Sequence, residues 1–353
     1  MSSTLDFSRI PRSALPGLLA RAPKAELHMH IEGSLEPELS FQLAARHGIT
    51  LPYASVEALR EAMDFEDLQS FLNLYYACAD VLRTEDDFFE LGWAYFQRAA
   101  ADGIVHAEIF FDPQTHTARG VPMGAVILGL HRASEQARRQ LGLSSSLILC
   151  FLRHLSEEEA LQTLEAALPY REFFIGVGLD SAERDHPPAK FERVFAWART
   201  LGLHVVAHAG EEGPAAYVEQ ALDLLHAERI DHGVRSIDSP ALMQRLAHEG
   251  VPLTVCPLSN LKLCVVPDLA EHPLPQLLAA GLRVTINSDD PAYFGGYLLD
   301  NFRALFDALP QWGAAEAYAL LRNSLQASFV APEQKVAWMA QLDARFVAAM
   351  TPA

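Results

Sequence analysis

Short, nearly continuous runs of apolar residues recur along the chain, and segments with helical spacing separate them. Runs of this kind are typical of strands that are buried on both faces of a parallel sheet. Between the runs, apolar residues repeat at intervals of three and four, as at Phe191, Val194 and Phe195, which predicts helices. The eight predicted strands cover residues 26–32, 104–112, 146–154, 174–180, 204–211, 229–234, 252–260 and 283–290.

The alternation of eight strands with helices predicts an α/β fold, a closed (β/α)8 TIM-type barrel rather than an open sheet. We expect one barrel domain over residues 1–353. Because a βαβ unit needs only roughly 30 residues, the longer interval after the first strand predicts inserted helices in a lid region at 33–103. Pro37 suits the start of one such helix and Gly48 its end. Residues 296–353 are expected to form C-terminal helices outside the barrel.

An aromatic stripe lies within the inserted region, with Phe71, Leu72, Tyr75 and Tyr76 at helical spacing. A stripe of this kind usually packs in a core. It also suits a helix that covers a binding site as a lid. The sequence leaves both interpretations open.

The chain is acidic, since 27 basic and 45 acidic side chains give its 353 residues a formal net charge of −18. Such a surface repels phosphate backbones, which argues against nucleic acid as a partner. The apolar runs are shorter than the ~20 residues of a membrane span, and the N-terminus lacks an apolar signal core. We therefore expect a cytoplasmic protein that binds neither nucleic acid nor membranes, and the sequence leaves a homo-oligomer open.

Polar residues end each of the predicted strands. In a parallel barrel the carboxyl ends of all strands meet on one face, where active sites are built. A single polar end also marks the ordinary passage of a strand into solvent, but histidines and acids at most ends favour a functional site. These residues are His30, Glu32, Asp112, His154, Asp180, His208, Glu211, His232, Ser259, Asn260, Asp289 and Asp290.

His28 and His30 lie two positions apart on the first strand, so both imidazoles face the same side. Such a pair is often incidental, but His208 and Asp289 end two other strands on the same face and add a nitrogen and a carboxylate oxygen. Three imidazoles and one oxygen suit zinc, Zn2+, or a similar first-row ion with an open position for water. No lysine lies in a strand where it would bridge two metals, so we expect one ion.

Glu211, His232 and Asp290 lie beside the predicted ligands and suit acid–base chemistry. Two alternatives stay open: Glu212 shows that acids cluster in this loop, and Asp231 can form a structural pair with His232. The sequence contains no Walker A loop, complete dinucleotide fingerprint, GxSxG elbow or HxE…PCxxC zinc motif. These absences argue against a nucleotide cofactor, a serine nucleophile and a deaminase of the cytidine type.

The chain resembles the adenosine/adenine deaminase family of metal-dependent hydrolases in five ordered motifs. They are KAELHMHIEGS at 24–34, HAGEEG at 208–213, IDHGV at 230–234, CPLSN at 256–260 and NSDDP at 287–291. This resemblance implies a (β/α) barrel with one zinc ion, which agrees with the strand count reached from the hydrophobic pattern.

The resemblance also implies a role for each matched residue. Glu211 would donate a proton to N1 of a purine, His232 would orient and help deprotonate the attacking water, and Asp290 would contact N7. Glu32 and Gly178 would contribute to substrate binding. The zinc ligands would be His28, His30, His208 and Asp289.

Adenosine deaminases typically contain HxHLDG, whereas this chain contains HMHIEG and has Glu32 at the aspartate position. The extra methylene of Glu32 reaches into the space that a ribose would occupy. Segments 110–117, 151–158 and 288–297 are also similar to the adenine deaminase branch of the family. We therefore expect hydrolytic deamination of adenine, a small purine base, to hypoxanthine and ammonia in purine salvage. Adenosine, N6-substituted adenines and a non-catalytic binding role are the alternatives.

Overall fold

The computed structural model describes residues 5–64 and 68–350. Its strands are β1 (Lys24–His30), β2 (Ile104–Phe111), β3 (Ser144–Leu152), β4 (Gly176–Asp180), β5 (His204–Ala209), β6 (Arg229–His232), β7 (Pro252–Val255) and β8 (Arg283–Ile286). In this part of the chain the eight strands form one sheet in sequence order, and neighbouring strands pair in parallel. The predicted (β/α)8 barrel is therefore confirmed.

The barrel closes between β8 and β1 through an isolated bridge between Met29 and Asp289. Asp289 donates its backbone N–H to the carbonyl of His28 at 3.1 Å, and His30 donates to the carbonyl of Asp289 at 2.9 Å. The closure of the barrel thereby fixes the backbone of three residues that the sequence placed in a metal site.

Side chains replace the regular ladder over the rest of this seam. Asn287 Oδ1 accepts the backbone N–H of Leu27 at 2.8 Å, and Glu26 Oε1 accepts the backbone N–H of Ser288 at 3.1 Å. Buried backbone groups require such partners when a ladder is interrupted. The NSDDP motif therefore contributes to barrel closure as well as supplying Asp289.

Helices alternate with the strands and surround the barrel. The α-helices in the described residues are α1 (Leu15–Arg21), α2 (Pro37–His47), α3 (Val56–Ala62), α4 (Leu68–Ala79), α5 (Glu85–Ala101), α6 (Pro113–Thr117), α7 (Met123–Gln140), α8 (Glu157–Ala167), α9 (Glu192–Thr200), α10 (Ala215–Gln220), α11 (Pro240–Glu249), α12 (Pro257–Lys262), α13 (Leu274–Ala279), α14 (Leu298–Ala308), α15 (Ala314–Ala327) and α16 (Pro332–Ala349).

Helices α2 to α5 fill the interval between β1 and β2, where the sequence predicted an insertion. Helix α2 begins at Pro37 and is followed by Gly48, as predicted. At the other end of the chain, α15 packs against β1 and β8. Ser324 of α15 accepts the backbone N–H of Ala25 at 3.1 Å, so this helix also seals the seam of the barrel.

The seventh predicted strand, 252–260, was too long, because β7 ends at Val255 and α12 begins at Pro257. Proline lacks the N–H that a strand would use, and its fixed φ suits the first turn of a helix. The apolar residues of the CPLSN segment therefore belong to a loop and a helix at the carboxyl face of the barrel.

An apolar cluster fills the barrel interior below the carboxyl ends of the strands. It consists of Phe110, Ile148, Cys150 and Val206, all of which are buried. The ring centre of Phe110 lies 5.1 Å from that of His28, so this apolar cluster lies directly beneath the predicted metal site. No described helix combines the length and the apolar character that a membrane crossing demands.

Candidate active site

A cavity opens at the carboxyl ends of the strands. This is the face of a parallel barrel where active sites are found. Several of the residues that the sequence placed at strand ends form its wall, namely His30, Asp112, Asp180, His208, Glu211, His232, Asp289 and Asp290.

Three imidazoles and one carboxylate meet at the base of this cavity. The nitrogen and oxygen atoms that His28, His30, His208 and Asp289 offer as ligands all lie within 4.8 Å of one another. Asp289 Oδ1 is 3.3 Å from Nε2 of His28 and 3.5 Å from Nε2 of His30. All four side chains are buried. We call this group the metal cluster, because three imidazoles and a carboxylate fit a divalent metal ion.

The surroundings of the metal cluster orient its imidazoles. His28 Nδ1 is 2.9 Å from Thr254 Oγ1, and His208 Nδ1 is 3.5 Å from Asp231 Oδ2. Thr254 in turn donates to Asp231 at 2.8 Å. Within the described residues, the buried Nε2 of His28 has no hydrogen-bond partner. A buried polar atom normally has one, and a metal ion held by rings that outer partners fix would supply it.

Asp231 therefore serves the metal cluster rather than His232. His232 lies at the other side of the site, where its Nε2 is 3.6 Å from Glu211 Oε2 and 3.7 Å from Asp289 Oδ2. The structural Asp231–His232 pair that the sequence left open is thus not the arrangement that the fold adopts.

Two residues of the site adopt a left-handed backbone conformation, with φ of 60° at His232 and 64° at Asp289. Outside glycine this conformation costs of order 1–3 kcal/mol and persists only where the surrounding structure imposes it. At Asp289 the hydrogen bonds of the barrel seam impose it. Both residues turn their side chains into the cavity as a result.

Glu211 is a buried acid beside His232. Burial, followed by the negative charge of Asp289, raises the pKa of Glu211 well above its usual range. Burial, followed by the charge of His28, lowers the pKa of His232 well below its usual range. Burial therefore favours the protonated form of the Glu211 carboxyl group, a donor, and the neutral form of the His232 imidazole, an acceptor.

A second carboxylate, Glu183, holds the loop that carries Glu211. Glu183 is buried, and its Oε1 accepts the backbone N–H of Gly210 at 2.7 Å. Its Oε2 accepts the N–H groups of Glu211, Glu212 and Gly213 at 3.0, 2.9 and 2.8 Å. Hydrogen bonds to a charged acceptor are about twice as strong as neutral ones. Glu183 therefore fixes the HAGEEG loop in the conformation that directs Glu211 into the cavity.

Glu183→Ala is expected to lower kcat by about 10- to 100-fold, because the loop loses its only charged anchor among these contacts. Four backbone N–H groups would lose their acceptor, and three of these hydrogen bonds are fully buried. An unsatisfied buried donor costs about 1–3 kcal/mol of folding stability, so the melting temperature should fall as well. Glu183→Gln keeps one good acceptor oxygen and should recover part of both. Steady-state kinetics with thermal unfolding checks this, and an unchanged kcat in Glu183→Ala would rule out the positioning role.

Asp290 lines the cavity next to Asp289. Burial, followed by the charge of Asp289, raises the pKa of Asp290 well above its usual range. Gly33 makes room for it, since a Cβ atom at Gly33 would lie 2.6 Å from Asp290 Cα. The glycine of the HMHIEGS segment is therefore required by the close approach of these two loops.

Glu32 and Gly178, the two other predicted substrate-binding residues, do not form part of the cavity wall. Glu32 Oε1 accepts the backbone N–H of Asp112 at 3.2 Å and lies 2.8 Å from Nε2 of His116. Gly178 lies within β4, where an added Cβ atom would be 2.5 Å from Cys150 Sγ. Both positions serve packing around the site, and direct contact with a substrate at either one stays a prediction.

The sequence assigned no role in the site to Asp180 or Glu183, and it offered Asp231 only as a structural partner of His232. Asp180 Oδ2 lies 3.5 Å from His30 Nδ1, so it faces the outer nitrogen of a predicted metal ligand. The sequence placed Asp180 at a strand end and Asp231 next to His232, but it contained no signal for their partners. No sequence motif pointed to Glu183.

Helix α4 covers the cavity. Phe71, Leu72, Tyr75 and Tyr76 line its wall. The ring centre of Phe71 also lies 4.7 Å from that of Phe294, which follows β8. The aromatic stripe is thus packed against its neighbours and forms the roof of the site, so the two sequence interpretations are compatible. Movement of this helix as a lid stays a prediction.

Comparison with known proteins places this geometry in a family. The family model described as adenosine deaminase matches residues 23–345. The chain belongs to the adenosine deaminase family. Its members are hydrolases, so the family expected from the five motifs is confirmed and the protein is an enzyme of the deaminase family.

Individual relatives agree with this family over nearly the whole chain. The adenine deaminase of Trichlorobacter lovleyi is 63% identical over 342 residues, which cover 97% of this chain and 98% of that protein. The adenine deaminase of Cupriavidus taiwanensis is 64% identical over 331 residues, or 94% of each chain.

Two solved structures share the barrel. The crystal structure of adenine deaminase from Arthrobacter aurescens superposes with a TM-score of 0.89 at 51% identity, covering 91% of this chain and 98% of that one. An amidohydrolase from Burkholderia ambifaria with bound zinc superposes with a TM-score of 0.88 at 28% identity, covering 96% and 94%. The family and this neighbour, together with the metal cluster, indicate a metal cofactor.

Proposed function

We propose that this enzyme is a zinc-dependent adenine deaminase, which converts adenine and water to hypoxanthine and ammonia. The observation that carries the proposal is the meeting of Glu211, His232 and the metal cluster around one cavity. Relatives at 61–64% identity carry the name adenine deaminase, which supports a free purine base as the substrate.

Zinc fits the spacing of the metal cluster. Ligands at about 2.0–2.1 Å from a tetrahedral zinc ion lie about 3.3 Å apart. The distances from Asp289 Oδ1 to Nε2 of His28 and His30 are 3.3 and 3.5 Å, and Nε2 of His30 lies 3.1 Å from Nε2 of His208. When bound, zinc supplies a water activated for attack at neutral pH.

Glu211 and His232 divide the proton transfers between them. The protonated carboxyl group of Glu211 donates its proton to N1 of adenine, which makes C6 more electrophilic. Neutral His232 orients the attacking water and accepts its proton as the oxygen adds to C6. The protonated His232 then gives this proton to the amino group, the C6–N6 bond breaks, and the amino group leaves as ammonia. The hydroxyl on C6 returns its proton to the Glu211 carboxylate and becomes the carbonyl of hypoxanthine, which restores both residues.

The rest of the cavity holds the ring. Asp290, whose raised pKa favours its protonated form, donates a hydrogen bond to N7. Apolar side chains from helix α4 and two loops supply contact surface for a heterocycle, and the polar groups of the wall are placed to contact its nitrogens. These side chains are Phe71, Leu72, Leu263 and Phe294.

Incubation of metal-analysed protein with adenine tests the proposal. We expect about one zinc ion per chain, conversion of the ultraviolet spectrum of adenine to that of hypoxanthine, and ammonia in equal amount. If an N6-alkyladenine reacts and adenine does not, the substrate is a substituted adenine. If neither purine reacts with metal-loaded protein, the proposal is wrong.

His232→Ala is expected to keep the metal ion and to lower kcat by about 10²- to 10⁴-fold, because the water loses its base. The matched control is His226→Ala, which alters an exposed histidine that also has a positive φ, 56°. Elemental analysis together with kcat checks the pair. Loss of metal along with activity in His232→Ala would show a structural role instead.

A further inference from the structure

The cavity wall contains one carboxylate that the proposed mechanism does not use. Of the five acids in the wall, Asp289 belongs to the metal cluster, Glu211 and Asp290 have roles at the ring in the proposed function, and Asp180 faces His30. The fifth is Asp112, at the end of β2. It is only 3% exposed, its side chain contacts the carboxyl group of Asp180, and no N–H or hydroxyl donor within the described residues reaches its Oδ1.

The position of Asp112 is fixed by its neighbours. Its backbone N–H donates to Glu32 Oε1 at 3.2 Å, and the hydroxyl of Tyr75 donates to its Oδ2 at 3.4 Å. Tyr75 comes from the roof helix α4 and is itself buried. One carboxylate oxygen of Asp112 is therefore held from above, while no N–H or hydroxyl group of the described residues reaches the other.

Asp112 lies on the same side of the cavity as Asp290. Glu32 contacts Asp112, and the adjacent Gly33 lies against Asp290, so one short loop connects the two acids. Their charges also interact, since Asp112 contributes to the raised pKa of Asp290. If Asp290 contacts N7, the next nitrogen along this edge of the purine, beyond C8, is N9.

The chemistry of N9 distinguishes a base from its nucleoside. In free adenine N9 carries a hydrogen and is a donor when N7 is an acceptor, whereas in a nucleoside N9 carries the sugar. An ionised carboxylate is an acceptor only. Burial, followed by the charge of Glu32, raises the pKa of Asp112 to about 7, so a donor from the ligand would stabilise the carboxylate that burial disfavours.

We propose that Asp112 accepts a hydrogen bond from the N9–H group of a free purine base and so makes the site select a base over its nucleoside. This inference rests on the proposed function, because it takes the orientation of the ring from Glu211 and Asp290. An analogue that lacks the group paired with a buried polar atom of the site leaves that atom unpaired and is therefore rejected strongly. Loss of an apolar contact alone discriminates much less between two ligands.

The test compares adenine with 9-methyladenine, in which a methyl group replaces the N9 hydrogen. We expect the unaltered enzyme to have a much higher kcat/KM for adenine. Asp112→Asn should lower kcat/KM for adenine by about 10- to 100-fold, the value of a hydrogen bond to a charged group. It should leave 9-methyladenine unchanged or improved, so that the ratio between the substrates falls. Asp112→Ala should lower the ratio in the same way.

The matched control is Asp80→Asn, which removes a half-exposed carboxylate at the end of α4 outside the cavity wall. It should change neither substrate's kcat/KM. Metal analysis accompanies each variant, because His30, Asp112 and Asp180 lie within 4.8 Å of one another and also resemble a cation site. A second metal ion per chain that is lost in Asp112→Asn would overturn the inference.

Two further outcomes would overturn it. Equal turnover of adenine and 9-methyladenine by the unaltered enzyme would do so without any variant, and equal losses for both substrates in Asp112→Asn would show that Asp112 only supports the fold. Failure of the proposed function is distinguishable, since the unaltered, metal-loaded enzyme would then leave adenine unchanged.

Discussion

Glu211→Gln is expected to lower kcat by about 10²- to 10⁴-fold while the enzyme still binds purines. The glutamine has nearly the same shape, and its amide group can still contact N1, but it has no proton to give. Burial and the charge of Asp289 are what keep Glu211 protonated in the unaltered enzyme. Single-turnover kinetics combined with equilibrium binding of hypoxanthine separates the lost chemistry from the retained binding.

Glu212→Gln is the matched control for this substitution. Glu212 neighbours Glu211 in the same loop and pairs with the exposed Arg184 at 3.5 Å, but it does not line the cavity. We expect its kcat to stay within a few-fold of the unaltered enzyme. Turnover that survives in Glu211→Gln would show that another group protonates N1.

Removal of the metal ion is expected to abolish turnover and to lower the melting temperature. The metal cluster leaves the buried Nε2 of His28 without a partner unless an ion is bound. A ligand that binds only the folded state stabilises it by about 2.7 kcal/mol at 100 times its Kd. A chelator should therefore lower activity and melting temperature together, and zinc should restore both. His208→Ala should lose the ion permanently.

His248→Ala is the control for the metal prediction, because His248 is an exposed histidine on α11. It should keep the metal content and the activity of the unaltered enzyme. Undiminished turnover in protein that elemental analysis shows to be free of metal would contradict the role of the metal cluster.

The sequence predicted the strands well because their patterns depend on burial alone. Strands such as β3 and β5 are buried on both faces and therefore show continuous apolar runs. The two-residue period of a strand also placed His28 and His30 on one face correctly. The ends of β7 and β8 were placed four or more residues too late, since these strands end at Val255 and Ile286. After β7 the apolar run continues into α12, where only Pro257 marks the change.

The outer partners of the metal cluster could not be predicted in the same way. Asp231 pairs in register with His208 across β5 and β6, and this register is a property of the assembled sheet. Glu183 acts on a loop that lies 27 or more residues further along the chain, through backbone groups that carry no sequence signal. The unpaired oxygen of Asp112 likewise becomes visible only once Tyr75 and Glu32 are placed around it.

The most direct test of the central claim, a metal-dependent deaminase of a free purine base, is a side-by-side measurement of kcat/KM for adenine and adenosine on one metal-analysed preparation. We expect adenine to be preferred by about two orders of magnitude or more, because the roofed cavity contains a buried acceptor that a nucleoside cannot satisfy. Equal or faster deamination of adenosine would contradict the claim.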